Sequence, residues 1–156
     1  MTDYKVKVAT AEDVDQIIDL LKMMHDENGV FQYDEEKTHD IITNMINAGK
    51  GVVGVIGEDR IEAMIGLIID QLWYGKDFHL NELFNFVHPD YRRSTRVKSL
   101  ITFAKKCSDE MQIPLVIGVV ANHRTEAKVK LYERHFPKAG SFFLYNEDYA
   151  RVNGHG

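Results

Sequence analysis

Apolar residues along the chain follow two periods, and the points where the period switches outline an alternation of strands and helices. Lys5 to Ala9 alternates weakly and predicts a first strand ending at Thr10. Thr10, with Asp13 three residues later, resembles a capping box that uses Asp in place of Glu. Val14, Ile17, Ile18 and Leu21 then recur at helical spacing, which predicts an amphipathic helix over residues 11–25. The polar, glycine-containing stretch from His25 to Tyr33 reads as a loop. Asp34 to Ala48 reads as a second helix, with Ile41, Ile42, Met45 and Ile46 as its apolar stripe.

From Gly51 the texture changes. The runs VVGVI and IEAMIGLII are short, β-branched and separated by the turn residues Gly57-Glu58-Asp59-Arg60, so they should pair as a hairpin. Phe78 to Val87 alternates imperfectly: His79, Asn81 and Asn85 stand against Leu80, Leu83 and Phe86, as in a long strand with a bulge. Pro89 cannot donate to a ladder and marks its end. From Arg92 onward the spacing is helical again, through Val97, Leu100, Ile101 and Ala104. After Pro114, LVIGVVA predicts a strand buried on both faces. Asn122 then caps a fourth helix running to Phe136, and Gly140 to Tyr149 forms a final strand. The order predicts an α/β domain, a mixed central sheet flanked by about four helices.

Composition narrows this picture. The 156 residues are 44% hydrophobic and 28% charged, the usage of one ordinary domain, so residues 1–156 are read as a single domain with about 150–156 as a flexible tail. Its one cysteine, Cys107, excludes an intramolecular disulfide and fits a reducing compartment, which makes the cytoplasm the expected location. The first residues carry no apolar stretch of signal-peptide length, and no window approaches the ~18 apolar residues of a membrane span, so no membrane association is expected. Nineteen Lys and Arg against 24 Asp and Glu give a formal charge of −5, the wrong sign for a polyanion-coating protein.

One segment departs from that acidity. FNFVHPDYRRSTRVKSL, residues 84–100, leads from the long strand through a proline turn towards a helix, and carries Arg92, Arg93, Arg96 and Lys98 within seven residues. Orphan N–H groups and partial positive charge at a helix start suit phosphate oxygens, and these cations would add to both. A solvated basic first turn is the plainer reading of the charge alone. Binding nucleic acid would need a wider basic face than this one.

The spacing V-x-P-x-Y-R, with a leucine eight positions on, resembles motif A of the GCN5-related N-acetyltransferase (GNAT) superfamily. There the pattern of Arg or Gln, two residues, Gly, one residue, Gly or Ala falls on Arg92, Thr95 and Val97. Arg92 matches; Thr95 and Val97 keep their N–H donors but add bulk where the superfamily has small residues. Downstream, Asn122, Ala127 and Leu131-Tyr132-Glu133-Arg134 are similar to the superfamily's motif B, with His135-Phe136-Pro137 in place of its Gly-Phe. The opening strand and first helix also resemble the superfamily's, so the likeness spans nearly the whole chain.

The resemblance implies acetyl-CoA as co-substrate. Its pantetheine would lie along the strand around Phe86 and Val87 and near Asn122, with its pyrophosphate over Arg92, Arg93, Ser94, Thr95, Arg96, Val97 and Lys98. It implies Tyr132 as the acid that protonates the departing thiolate, a role a phenol can fill at neutral pH. The plainer reading of Tyr132 is a helix-face tyrosine packed on the core. Glu82, in the long strand ahead of its bulge among apolar neighbours, is the candidate general base, with His79 as the alternative. An edge carboxylate paired with a cation is the plainer reading of Glu82.

The acceptor would be an amine of a small molecule, peptide or protein, flanked by Phe31, Tyr33, Trp73 and Tyr74. Asp26, Glu27, Asp34 and Glu35 beside them would suit a cationic amine, or would simply keep the loops soluble. Dimers are common in the superfamily, so the resemblance leaves room for a homodimer through the last strand. A different class of function is a non-catalytic binding module that keeps the fold, has lost the phosphate loop at Thr95 and Val97, and acts through a protein partner. Cys107, with no motif-placed activator, reads as an inert buried thiol, and the histidines show no metal-ligand spacing.

Overall fold

The computed structural model describes residues 3–118, 125–141, 143–146 and 148–149. They group into two compact units, Met1–Leu20 with Glu35–Ile117, and Leu21–Asp34 with Gly118–Gly156.

The first unit holds the sheet. Strands β1 (Lys7–Val8), β2 (Gly51–Ile56), β3 (Ala63–Gln71), β4 (Phe78–Val87) and β5 (Leu115–Val116) are ordered β1-β2-β3-β4-β5. All neighbours are antiparallel except β4 and β5, which are parallel, so the sheet is mixed as the sequence predicts. The expected hairpin is β2–β3, in register from Gly51↔Ile68 to Ile56↔Ala63. Helix α1 (Val14–Asn28) is preceded by a 3-10 turn, Ala11–Asp13, and contributes to both units. The backbone N–H of Thr10 donates to the Asp13 carboxylate at 2.8 Å, one half of the predicted capping box. Helices α2 (Glu35–Asn47) and α3 (Arg96–Met111) complete this unit.

The bulge expected in the fourth strand is present. Gly66 lies opposite Phe84 and Leu67 opposite Glu82, so Leu83 is the extra residue on β4. Directly opposed residues share a face, and the additional residue resets the alternation. Glu82 and Phe84, which a regular strand would place on one face, therefore lie on opposite faces. On one face Ile56, Ala63, Ile65, Leu67 and Leu80 pack against Leu100 and Ala104 of α3, and Glu82, Asn85 and Val87 share this face by register. Each leucine so buried contributes about 1.5–3 kcal/mol. On the other face lie Val53, Val55, Met64, Phe84, Phe86 and His79, all buried. Leu83 itself is exposed, against the expectation that it joins the apolar set with Leu80 and Phe86.

Other boundaries also differ from the sequence reading. Helix α1 runs to Asn28, so the loop begins at Gly29 rather than His25. Helix α3 begins at Arg96, not Arg92, because Pro89–Tyr91 forms a 3-10 turn and Arg93 adopts a left-handed φ of 64° that no α-helix accommodates. Of the predicted strand LVIGVVA, residues 119–121 lie outside the described residues; among the described ones only Leu115 and Val116 are paired, and Val116 is 47% exposed, so this part is not buried on both faces. No strand forms among the described residues of 140–149: Phe143, Leu144 and Tyr145 are exposed, and Asn146 has φ 61°, which breaks an extended run.

The second unit contains helix α4 (Thr125–Glu133), shorter at its C-terminal end than predicted, and the loop following α1. From the last turn of α1, His25 Nε2–H donates to the Phe31 carbonyl in that loop at 2.5 Å, and the His25 ring centroid lies 5.3 Å from that of Tyr33.

Candidate functional site

Strand β4 is ten residues long, but β5 accompanies it only at Leu80↔Leu115 and Asn81↔Val116. The Leu80 N–H donates to the Pro114 carbonyl at 2.8 Å, so even-numbered residues ahead of the bulge turn their backbone groups towards β5. Beyond it the sense inverts. The His88 N–H donates to the Glu62 carbonyl at 2.8 Å, so residues 84, 86 and 88 face β3, while Asn85 and Val87 present their backbone groups at the edge away from β3. Among the described residues no strand pairs with this edge from Glu82 to Val87. Phe86 pairs with Met64 and buries its ring, so in the predicted Phe86-Val87 stretch the edge-facing backbone is that of Val87.

The strand then runs into the basic turn. The His88 ring accepts from the Asp90 N–H at 3.1 Å and caps the 3-10 turn. Arg92 folds back: its Nε donates to the Val87 carbonyl at 3.0 Å and its guanidinium lies 5.4 Å from the centroid of the Phe86 ring. Arg93 is exposed in its left-handed conformation, Ser94 Oγ donates to the Tyr91 carbonyl at 2.9 Å, and Thr95 is the N-cap of α3. The Thr95 carbonyl accepts from the Ser99 N–H at 3.1 Å, which leaves the amides of Val97 and Lys98 within the first turn, ahead of the intrahelical ladder.

Of the four cations in this segment, only Arg93 and Lys98 are exposed. The Arg96 side chain is largely buried and turned into the protein, where Nε and Nη2 donate to Glu62 Oε1 at 3.1 and 3.0 Å and Nη1 donates to the Tyr91 carbonyl at 3.3 Å. Two guanidinium groups approach the Tyr91 ring, Arg96 at 4.8 Å and Arg60 at 5.1 Å from its centroid. Arg60 Nε also donates to the Tyr91 hydroxyl at 2.9 Å, which, with Asp90 at 3.6 Å, holds the Arg60 guanidinium above its ordinary pKa. Glu62 escaped sequence reasoning because no local motif points to a carboxylate 34 residues before the arginine it binds.

Glu82 is partly buried on the α3 face opposite Leu67, and His79 is buried on the other face opposite Asp70, so the two candidate bases are separated by the sheet. Trp73 is 94% exposed and meets Tyr74 edge to face at 5.4 Å between centroids. Between α1 and α2 a cleft of about 370 Å³ is lined by Asp15, Asp19, Glu35, Glu36, Asp40 and His39, with Ile18 at its base. In the second unit Phe31 is exposed, Tyr33 is partly buried, and Tyr132 stands on α4 with its ring 6.3 Å from that of Phe136. Asn122, predicted as a cap and a pantetheine contact, lies outside the described residues. Among the described residues, no group of three or more His, Cys, Asp and Glu is arranged to hold a metal, and no helix is long and apolar enough to cross a membrane.

No protein-family model matches the sequence, and a search of curated proteins finds no match. Solved structures match throughout. A GCN5-related N-acetyltransferase from Ralstonia eutropha is 19% identical with a TM-score of 0.70, over 90% of this chain and 97% of the other. A predicted acetyltransferase from Clostridium acetobutylicum, solved with acetyl-CoA, is 13% identical with a TM-score of 0.73, over 91% and 95% of the two chains. An aminoglycoside acetyltransferase from an uncultured soil metagenomic sample, in complex with trehalose, is 16% identical with a TM-score of 0.67, over 90% and 92%. The fold is that of the GCN5-related N-acetyltransferases. Within this acetyltransferase fold, the bulged β4, its far edge and the turn into α3 are contiguous parts of one unit.

Proposed function

We propose that the chain is a member of the N-acetyltransferase superfamily that moves an acetyl group from acetyl-CoA to a primary amine. The observation that carries this reading is the β4 edge, which no described strand covers beyond Asn81, leading directly into a basic turn and the start of α3. A pantetheine arm has strand-like amide groups, and this edge of β4, alongside Phe86 and Val87, is where it would add as a strand. The pyrophosphate then falls at the turn from Arg92 to Lys98. There the amides of Val97 and Lys98 and the exposed Arg93 and Lys98 side chains supply donors and charge, with Arg92, Ser94, Thr95 and Arg96 shaping the turn. Val97 retains the amide this needs. Asn122 is assigned to the pantetheine.

The reaction is direct attack in a ternary complex. The amine nitrogen bonds to the thioester carbonyl carbon and the carbon–sulfur bond breaks. The CoA thiolate takes a proton from Tyr132, and the amine's surplus proton passes to Glu82, directly or through water. The acceptor is held by Phe31, Tyr33, Trp73 and Tyr74. An amine acceptor agrees with the acidic lining of the α1–α2 cleft and with the aminoglycoside acetyltransferase among the structural neighbours.

Thermal unfolding with and without acetyl-CoA tests the reading. A ligand at 100 times its dissociation constant stabilises by about 2.7 kcal/mol, and acetylation of an amine panel should accompany the shift. Absence of any shift at millimolar acetyl-CoA would replace this reading with that of a non-catalytic binding module.

A further inference from the structure

We propose that Glu62 is a positioning residue, locking Arg96 as a brace that sets the shape of the phosphate-binding turn. The inference rests on the reading of that turn as the acetyl-CoA site.

Arg96 is the first residue of α3 and Tyr91 the last before the turn, so the bond from Arg96 Nη1 to the Tyr91 carbonyl (3.3 Å) closes residues 92–95 into a loop fastened at both ends. Ser94 Oγ donates to that same carbonyl at 2.9 Å and lies 3.3 Å from the Arg96 N–H, which ties the middle of the loop to its ends. Glu62 fixes the brace to the sheet. Its Oε1 accepts both Nε and Nη2 of Arg96, while its backbone N–H donates to the Ile56 carbonyl at 2.7 Å and its carbonyl accepts from the His88 N–H at 2.8 Å. Glu62 thus anchors the strand end before the turn with its main chain and the helix start after it with its side chain.

The pair is shielded. Side-chain exposure is 13% for Arg96 and 23% for Glu62, and the guanidinium is covered by the Tyr4 ring at 4.2 Å and the Tyr91 ring at 4.8 Å. A charge so committed does not reach a phosphate; it acts by holding the turn that carries the amides of Val97 and Lys98 and the Arg93 side chain. Bonding on both sides of a planar fork is a task for arginine that a lysine ammonium cannot reproduce.

The test is acetyl-CoA binding by calorimetry at several salt concentrations, with steady-state kinetics, on the wild type, Glu62→Gln and Arg96→Lys. Glu62→Gln should weaken acetyl-CoA binding about tenfold, equivalent to ~1.4 kcal/mol. It should raise KM in proportion, leave kcat at saturation within about twofold, and keep the salt dependence of binding, because the cations facing the phosphates remain. Arg96→Lys should lose as much affinity despite keeping the charge, again with unchanged salt dependence. Near-native affinity in Arg96→Lys, or in folded Glu62→Gln, would overturn the proposal and make Arg96 an ordinary cationic contact. If Glu62→Gln fails to fold, Arg96→Lys carries the decision alone. Failure of the wild type to bind acetyl-CoA would instead overturn the function reading and this inference with it.

Discussion

The bulge in β4 depends on a glycine, and that dependence can be measured. Gly66 lies opposite Phe84 at the register shift, and a Cβ at position 66 would overlap Cε2 and Cζ of the Phe84 ring, itself a buried side chain. Gly66→Ala therefore forces the ring out of its place. Overpacking of this kind costs about 1–3 kcal/mol. The alanine also restricts the unfolded chain and returns about 0.4–1 kcal/mol, so at the midpoints of the two ranges the net loss should be about 1.3 kcal/mol. For a chain of this length that lowers the melting temperature by about 3–5 °C. The assay is equilibrium urea unfolding of a four-member cycle with Phe84→Leu, which removes the offending ring atoms. If the clash is the cause, Phe84→Leu costs less in the Gly66→Ala background than in the wild type, with coupling of at least ~0.5 kcal/mol. Additive losses, or a neutral Gly66→Ala, would refute the reasoning.

Further outcomes follow from other positions. Gln112 ends α3 in the left-handed region at φ 57°, so Gln112→Gly should stabilise by about 1 kcal/mol, raising the melting temperature by about 2–4 °C; no rise in calorimetry contradicts this. Burial, and secondarily Glu110, push the Cys107 thiol above its ordinary pKa. Its labelling by a disulfide reagent at pH 8 should be slower than that of the unfolded chain, and its contribution to stability, intact below the range where an unfolded thiol ionises, should fall as pH rises through that range. Equal labelling rates would count against it. The double variant Arg92→Ala, Arg93→Ala should weaken acetyl-CoA binding and flatten its salt dependence, and calorimetry with no loss would remove the phosphate assignment. Tyr132→Phe should lower turnover with acetyl-CoA binding nearly intact, and the reverse pattern would remove Tyr132 from the acid role.

The sequence made the helices and the hairpin legible because each buries one face, and burial writes its period into the residues. It made the β4 bulge legible as imperfect alternation but assigned Leu83 to the wrong side, since a single inserted residue is invisible until a neighbouring strand fixes the register. The start of α3 is four residues later than predicted because Arg92 to Thr95 carry helix-compatible side chains, and it is their backbone, extended at Arg92 and left-handed at Arg93, that forbids the helix. The segment Phe143 to Tyr145 carries strand-forming residues, yet a strand exists only where an edge accepts it. At the candidate site the cations were legible as a cluster but not their division of labour. Which arginine faces outward depends on Glu62 and Tyr91, partners that spacing along the chain does not disclose.

The extra residue at Leu83 also constrains how this chain can tolerate change. A substitution there alters one exposed side chain, whereas a deletion would invert every side chain between Phe78 and Glu82, turning His79 towards α3 and Leu80 away from it. The length of β4 is therefore held more tightly than its composition, and an alignment that slips by one residue here would misassign both faces of the sheet upstream of the turn.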